Sequence, residues 1–299
     1  MMMLNTFERV REEARKQTQR KICVAVAHDD DVLEAVVHAF QEGLASFILV
    51  GDREKILRIA EKRHIDLSEF EILDEKDDLE AARMSVEMVG NGEADILMKG
   101  LIQTGDLFRF VLDKNSKLRT GRILSHIMAH EIEGYDRLLF ITDTGLNIAP
   151  DVNKKAQIVQ NAVDIVRKLG VQLPVVAALA ALELVNTDMP STVDAALLSK
   201  MCDRGQIHGC ILDGPLAMDN AISAIAAKRK KIASVVPGVA DILLVPDLEV
   251  GNILSKALLY LANAKGGGVV VGAKSPIIMV SRADTHEIKL NSIALSMLL

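Results

Sequence analysis

Polar groups able to do chemistry stand where aliphatic runs of this chain stop. Lys99-Gly100 closes the run Ile96–Met98, and Arg109 follows on a helical stretch. Asp143-Thr-Gly-Leu-Asn147 closes Leu138–Ile141, and Asp213-Gly-Pro closes Cys210–Leu212 with Asp219 just behind. Pro246-Asp247 closes Ile242–Val245, with Gly251-Asn252 one turn on, and Ser281-Arg282 closes Ile277–Val280. Carboxylates accept hydrogen bonds or protons, hydroxyls donate and accept, and guanidinium groups hold anions by parallel donors. The carboxyl edge of an open α/β sheet is where ligands bind. Repeated placement of such groups there, with cations nearby, points to a ligand cleft between two lobes.

Each group also has an ordinary structural reading. Asp213-Gly-Pro is a good turn sequence, Asp247 and Asn252 are good helix caps, and Arg109 and Arg119 could be solvated. Gly266-Gly267-Gly268 lacks the Lys-Ser/Thr of a phosphate-binding loop and reads better as a tight entry into the strand Val269–Val271. His126 and His130 would share a helical face, but without the glutamate of H-E-x-x-H they make a poor metal site. No metal is expected.

The elements that would position these groups alternate. Aliphatic runs at Ile22–Ala27, Phe47–Val50 and Val175–Leu179 add to those above, and helical patterns lie between many of them. One runs from Val152 through Ala156, Val159, Val163 and Val166 to Gly170. Another opens at Pro190-Ser191, with Ser191 and Asp194 spaced as a capping box, and stops at Gly205. A third follows Asp247 to about Asn263. Strand and helix in alternation imply right-handed βαβ units and mainly parallel sheets. The 299 residues suggest two domains. A crossing near Glu131–Asp136, and an amphipathic C-terminal helix at Thr285–Leu299 returning to the first lobe, place residues 1–133 with 285–299 in one discontinuous domain and 134–284 in the other.

Composition narrows the function. A net charge of −6, 3% aromatics and no Trp leave neither the basic stripe nor the stacking platform of a nucleic-acid binder. No run is long enough to span a membrane, and the polar N-terminus is unlike a secretory leader. Cys23, Cys202 and Cys210 form no C-x-x-C pair, Cys23 and Cys210 reading as small core residues. A reducing cytoplasm is the expected setting.

From the C-terminal third the chain resembles a known family. Asp213-Gly-Pro-Leu-Ala-Met-Asp219 is similar to the D-G-P/E-L-x-x-D element of phosphate acetyl- and butyryltransferases, and Val245-Pro-Asp-Leu-Glu-Val-Gly-Asn252 to their P-D-L-x-x-G-N element. Gly272-Ala-Lys-Ser-Pro276 with Ser281-Arg282 resembles their G-x-x-x-P-x-x-x-x-S-R ending, and Asp143 to Asn147 their D-x-x-x-N. The elements run in register from about Ile22 to the end. The ending Ser281-Arg-Ala-Asp284 and the segments Glu183–Asn186 and Thr192–Ala195 look like the butyryl branch.

The resemblance implies two three-layer αβα domains with mainly parallel sheets and an interdomain cleft, as in isocitrate and isopropylmalate dehydrogenases, and a homodimer or larger homo-oligomer. It implies acyl-CoA and inorganic phosphate as substrates, with no resident cofactor. Ser281 and Arg282 match the family's active-site pair and Arg109 its first-domain arginine. Lys99, Asp143, Asn147, Asp213, Asp247 and Asn252 are the expected substrate-binding residues. The family's proposed base falls at Ile288 here, so Asp284 or Glu287 is the expected substitute. The other readings are a phosphate acetyltransferase, a metal-dependent decarboxylating dehydrogenase of the same fold, and a non-catalytic acyl-CoA binding protein.

Overall fold

A computed structural model describes residues 4–281 and 283–299. In chain order the elements are α1 (Phe7–Ala14), β1 (Arg20–Ala25), α2 (Asp30–Gln41), β2 (Ala45–Gly51), α3 (Arg53–Arg63), β3 (Glu71–Asp74), α4 (Asp78–Asn91), β4 (Ile96–Lys99) and α5 (Thr104–Val111). There follow β5 (Ser125–Glu131), β6 (Leu139–Thr142), α6 (Val152–Lys168), β7 (Val175–Leu179), α7 (Pro190–Asp203) and β8 (Ile211–Leu216). The chain closes with α8 (Met218–Ile222), α9 (Ala224–Arg229), β9 (Ile242–Leu244), α10 (Leu248–Leu261), β10 (Lys265–Val271), β11 (Ile277–Ile278) and α11 (His286–Met297). Alternation of strand and helix is the α/β pattern read from the sequence; most neighbouring strands run parallel, while β10 with β11 and β5 with β6 run antiparallel. Among the described residues no helix is long and apolar enough to cross a membrane.

The chain forms two compact units, both discontinuous: residues 7–122 with 266–299, and residues 1–6 with 123–265. The boundaries expected at 133/134 and 284/285 therefore fall elsewhere. The first boundary moves because β5 pairs with β6 in the second unit, and the second moves because β10 and β11 join the first unit's sheet instead of closing the second.

In the first unit the strand order is β3-β2-β1-β4-β11-β10. β1 is central, Ala25 lying opposite Val50 on one side and Lys99 on the other. Connections from β1 run through α2 and α3 to β2 and β3, whereas β4 sits on the opposite flank, so the strand order reverses at β1/β4. The approach there is close: a Cβ on Gly100 would stand 2.2 Å from Val26 O, so only glycine fits. The three glycines Gly266–Gly268 lie inside β10 rather than ahead of it, and the lack of a side chain on Gly267 admits Phe7 and Asn291 against the strand. α11 packs on α1 and α2 and is buried on almost every side from Lys289 to Met297, so it is not the amphipathic helix expected.

In the second unit the order is β5-β6-β9-β7-β8. Leu139, Ile141, Ala177, Leu179, Leu243 and Val245 build its core from three adjacent strands. β5 was not anticipated, and it carries His126 and His130 on an extended strand rather than a helix. Four residues of strand span about 13 Å, too far for one metal ion to bridge. Among the described residues no three His, Cys, Asp or Glu side chains gather as metal ligands would.

Candidate active-site groups

In the second unit the loop after β6 is held by its own polar residues. Asp143 is buried; its Oδ1 accepts from the backbone N–H of Gly145 and Leu146 at 2.8 and 2.9 Å, and its Oδ2 from the Asn147 amide. Asn147 also donates to Leu124 O at 2.8 Å. Asp247 caps α10, accepting from Val250 N at 2.9 Å, and Asn252 on that helix donates to Thr144 O at 3.4 Å. Gly251 is needed between them, since a Cβ there would stand 2.4 Å from Asp143 O. Thr144 is buried with its hydroxyl 2.7 Å from His126 Nδ1. The structure thus brings Asp143, Asn147, Asp247 and Asn252 together as a scaffold fixing two adjacent carboxyl ends, β6 and β9.

Asp213 does not join them. β8 does not stop at Leu212 but continues to Leu216 through an irregular register at Asp213-Gly-Pro, on the edge strand where proline is tolerated. Asp213 accepts from Gly214 N at 2.8 Å and from the Ser199 hydroxyl at 3.4 Å, which ties β8 to α7.

In the first unit β11 lies beside β4, Ile278 opposite Met98, so the chain leading to Ser281 leaves the sheet next to Lys99. Lys99 is buried and its Nζ donates to Gly100 O at 3.2 Å. Ser281 is exposed, and its backbone N–H donates to Asp284 Oδ2 at 2.7 Å while Asp284 N donates to Ser281 O at 3.1 Å. Behind this turn, Lys289 is almost wholly buried; its ammonium donates to Asp284 O and lies 3.9 Å from Asp31 Oδ2. Arg282, the other half of the expected pair, lies outside the described residues. Glu287 is 4.0 Å from an Arg11 guanidinium nitrogen on α1, away from this turn. Arg109 is on α5, largely exposed, with Asp106 at 3.6 Å and its guanidinium 5.3 Å from the Phe110 ring centroid. Of the two candidate bases, Asp284 is the one placed against Ser281.

Two buried ammonium groups escaped the sequence reading. Lys155 on α6 is buried and its Nζ lies 2.7 Å from Asp194 Oδ2 on α7. Its signal was its place on the apolar stripe with Ile158, Val159, Ala162 and Val166, where a lysine is out of pattern. Asp194 is therefore an ion-pair partner and not half of a capping box; the N-cap of α7 is Met189, with no side-chain cap. Lys289 was hidden because nearly every neighbour on α11 is buried too. Cys23 is a buried core thiol, whereas Cys210, expected in the core, is half-buried with its sulfur 3.9 Å from that of half-buried Cys202; desolvation pushes Cys23 and Cys210 up to about 12, far from thiolate at neutral pH.

The fold and these groups define a doubly wound α/β protein whose polar residues sit at the carboxyl edges of its sheets. Residues 5–85 and 78–297 match the phosphate acetyl/butaryl transferase family. The phosphate butyryltransferase of Clostridium acetobutylicum is 46% identical over 296 residues, 99% of this chain and 98% of that protein. The phosphate acetyltransferase of Thermotoga maritima is 46% identical over 277 residues, 93% of this chain and 94% of that protein. Among solved structures, a branched-chain phosphotransacylase from Enterococcus faecalis V583 superposes with a TM-score of 0.85 at 32% identity, covering 94% of this chain and 98% of that one. The chain belongs to the phosphate acetyl/butaryl transferase family.

Proposed function

We propose that this protein transfers a butyryl or branched C4–C5 acyl group reversibly between coenzyme A and inorganic phosphate. The observation carrying the reading is the 46% identity to a phosphate butyryltransferase along virtually the whole of both chains. An acetyl preference is the second reading, favoured by equal identity to a phosphate acetyltransferase. Two domains of the isocitrate dehydrogenase kind, a homodimer or larger assembly and a cytoplasmic setting belong to the same proposal.

In the forward reaction a phosphate oxygen attacks the thioester carbonyl, the C–S bond breaks, and acyl phosphate and CoA leave. In reverse the CoA thiol gives up its proton and its sulfur attacks the acyl phosphate. Arg282 and Arg109 would hold phosphate through two-pronged contacts that lysine cannot copy. Ser281 would donate to the tetrahedral oxyanion. A thiol of pKa about 8.5 needs only modest help from a carboxylate, Asp284 or Glu287. Lys99, Asp143, Asn147, Asp213, Asp247 and Asn252 would bind substrate or shape the loops that do. The cysteines are poor acyl acceptors, so transfer is direct, with no resident cofactor or metal.

The test is phosphate-dependent release of CoA from a panel of acyl-CoAs, acetyl to valeryl, in excess chelator. Highest kcat/KM on a C4 or branched chain is expected; highest on acetyl-CoA would reverse the branch assignment, and metal-reversible loss would favour a dehydrogenase-like protein. A protein that binds acyl-CoA without turnover would be a carrier. Arg282→Ala should lower kcat/KM for phosphate about thirtyfold or more, because losing one partner of a desolvated charge pair costs about 2–5 kcal/mol. Arg282→Lys should recover little, while Arg229→Ala in the basic run 228–231 should leave kinetics unchanged.

A further inference from the structure

We propose that Lys289 is a positioning residue for the phosphate side of the reaction: its ammonium, steered by Asp31, holds in place the turn that carries Ser281 and Asp284. The inference rests on the acyltransferase reading above and adds two residues to its machinery.

Stability alone does not explain a lysine at this position. Its side chain is 2% exposed, and a buried cation is a liability unless it is closely paired. The pairing is loose. Asp31 Oδ2 lies 3.9 Å from the Lys289 Nζ, beyond hydrogen-bond distance, and the Asp31 side chain is half exposed to water. Helix polarity adds to the liability. Lys289 stands in the first turn of α11 and Asp31 in the first turn of α2, and helix N-termini carry partial positive charge that disfavours a cation. An apolar side chain would suit the setting better, as it does at the buried neighbours Leu290 and Ile293.

What the ammonium does instead is grip the turn. Its Nζ donates to Asp284 O, the carbonyl just ahead of Thr285, the N-cap of α11. Asp284 is buried, its carboxylate accepts from Ser281 N at 2.7 Å, and its own N–H donates to Ser281 O at 3.1 Å. Those bonds close the turn on itself, while Lys289 ties it to α11 by the chain and to α2 through Asp31. α2 begins just beyond the carboxyl end of β1, so Asp31 sets the turn against the sheet edge where the strand order reverses, the usual ligand position. In the reading above Ser281 serves the transition state, and Arg282, next to it in sequence, serves phosphate. A displaced turn is therefore felt by phosphate and not by the binding of acyl-CoA.

Steady-state kinetics in phosphate and in butyryl-CoA, with a thermal melt of each protein, test this. Lys289→Met keeps the length and removes the charge; it should melt cooperatively within about 5 °C of wild type, the relief of a buried cation offsetting the lost hydrogen bond. KM for phosphate should rise about fivefold or more, the scale of one hydrogen bond, with KM for butyryl-CoA within about twofold. Loss of folded protein lowers apparent kcat and moves neither KM, so the split between the two is the reading. Asp31→Asn, at a half-exposed side chain, should raise KM for phosphate about two- to threefold, and the double variant should be no worse than Lys289→Met, since both act through one contact. If Lys289→Met does not fold, Asp31→Asn decides alone. An active wild type with KM for phosphate unmoved in the folded variants, or with both KM values raised equally, overturns the positioning role alone. Effects that multiply in the double variant overturn the coupling through Asp31. A wild-type protein inactive on every acyl-CoA overturns the acyltransferase reading and this role with it.

Discussion

Ser281 draws its position from its neighbours more than from its own side chain. Its backbone N–H is fixed by the Asp284 carboxylate, and the Asp284 carbonyl is fixed in turn by the buried Lys289 ammonium. This arrangement suits Asp284 to orienting the Ser281 turn, a role that needs an oxygen acceptor but not a negative charge. Asp284→Asn keeps that acceptor and should retain kcat/KM within about threefold, whereas Asp284→Ala should lose about tenfold or more, the scale of a hydrogen bond to a charged group. Steady-state kinetics with a pH profile separate the roles. If Asn is as damaged as Ala, and the acidic limb of the profile disappears in both, Asp284 is the base.

At the scale of elements, two polar links tie helices into the second unit, one helix to helix and one helix to sheet, and each has a measurable signature. The Lys155–Asp194 pair joins α6 to α7. Asp194→Asn leaves a buried ammonium without its counter-charge and should destabilise by about 3–5 kcal/mol, whereas Lys155→Met with Asp194→Leu should cost much less, since a buried ion pair competes poorly with a packed apolar pair. Denaturant unfolding of the two variants checks the asymmetry. His130 joins β5 to α10 through Ser255 Oγ at 2.9 Å, and burial holds its pKa down at about 4, against an ordinary 6.5. The unfolded chain therefore binds more protons between those values, so stability rises with pH across the window and is lost as pH falls from about 6.5 toward 4. The loss attributable to this group is roughly 3 kcal/mol, and His130→Gln should flatten that part of the pH–stability curve. A curve unchanged in slope would mean that other groups carry the acid sensitivity. The histidine also illustrates where sequence reading stopped: i, i+4 spacing looks helical, but β5 has too few β-branched residues to declare itself a strand. By contrast Val175–Leu179, a pure aliphatic run bounded by turn residues, was legible to the residue.

Across the whole molecule, motif residues were legible one by one, but their grouping was not, because it depends on strand order. Asp143, Asn147 and Asn252 converge because β6 and β9 are neighbours, while Asp213 is set apart by one inserted strand, β7. Strand order likewise makes both units discontinuous, so the first unit needs the last residues of the chain. α11 lies against α1 and α2 and buries Leu290, Ile293, Leu295 and Met297 almost completely, while Asn291 and Ser292 bond Gly266 O and Gly268 N of β10. Burial of each large apolar side chain is worth about 1.5–3 kcal/mol, so these four together contribute roughly 6–12 kcal/mol, comparable with the 5–15 kcal/mol net stability of a typical domain. Ending the chain at Asp284 would remove that contribution, expose the apolar faces of α1 and α2, and leave two buried β10 groups without partners. Such a chain should fail to form the first unit: soluble yield should collapse, or near-native helix content should persist only without a cooperative melt. Circular dichroism on heating, with the full chain beside it, decides the matter. A truncated protein melting cooperatively within a few degrees of the full chain would show that α11 is an accessory and not part of the first unit's core.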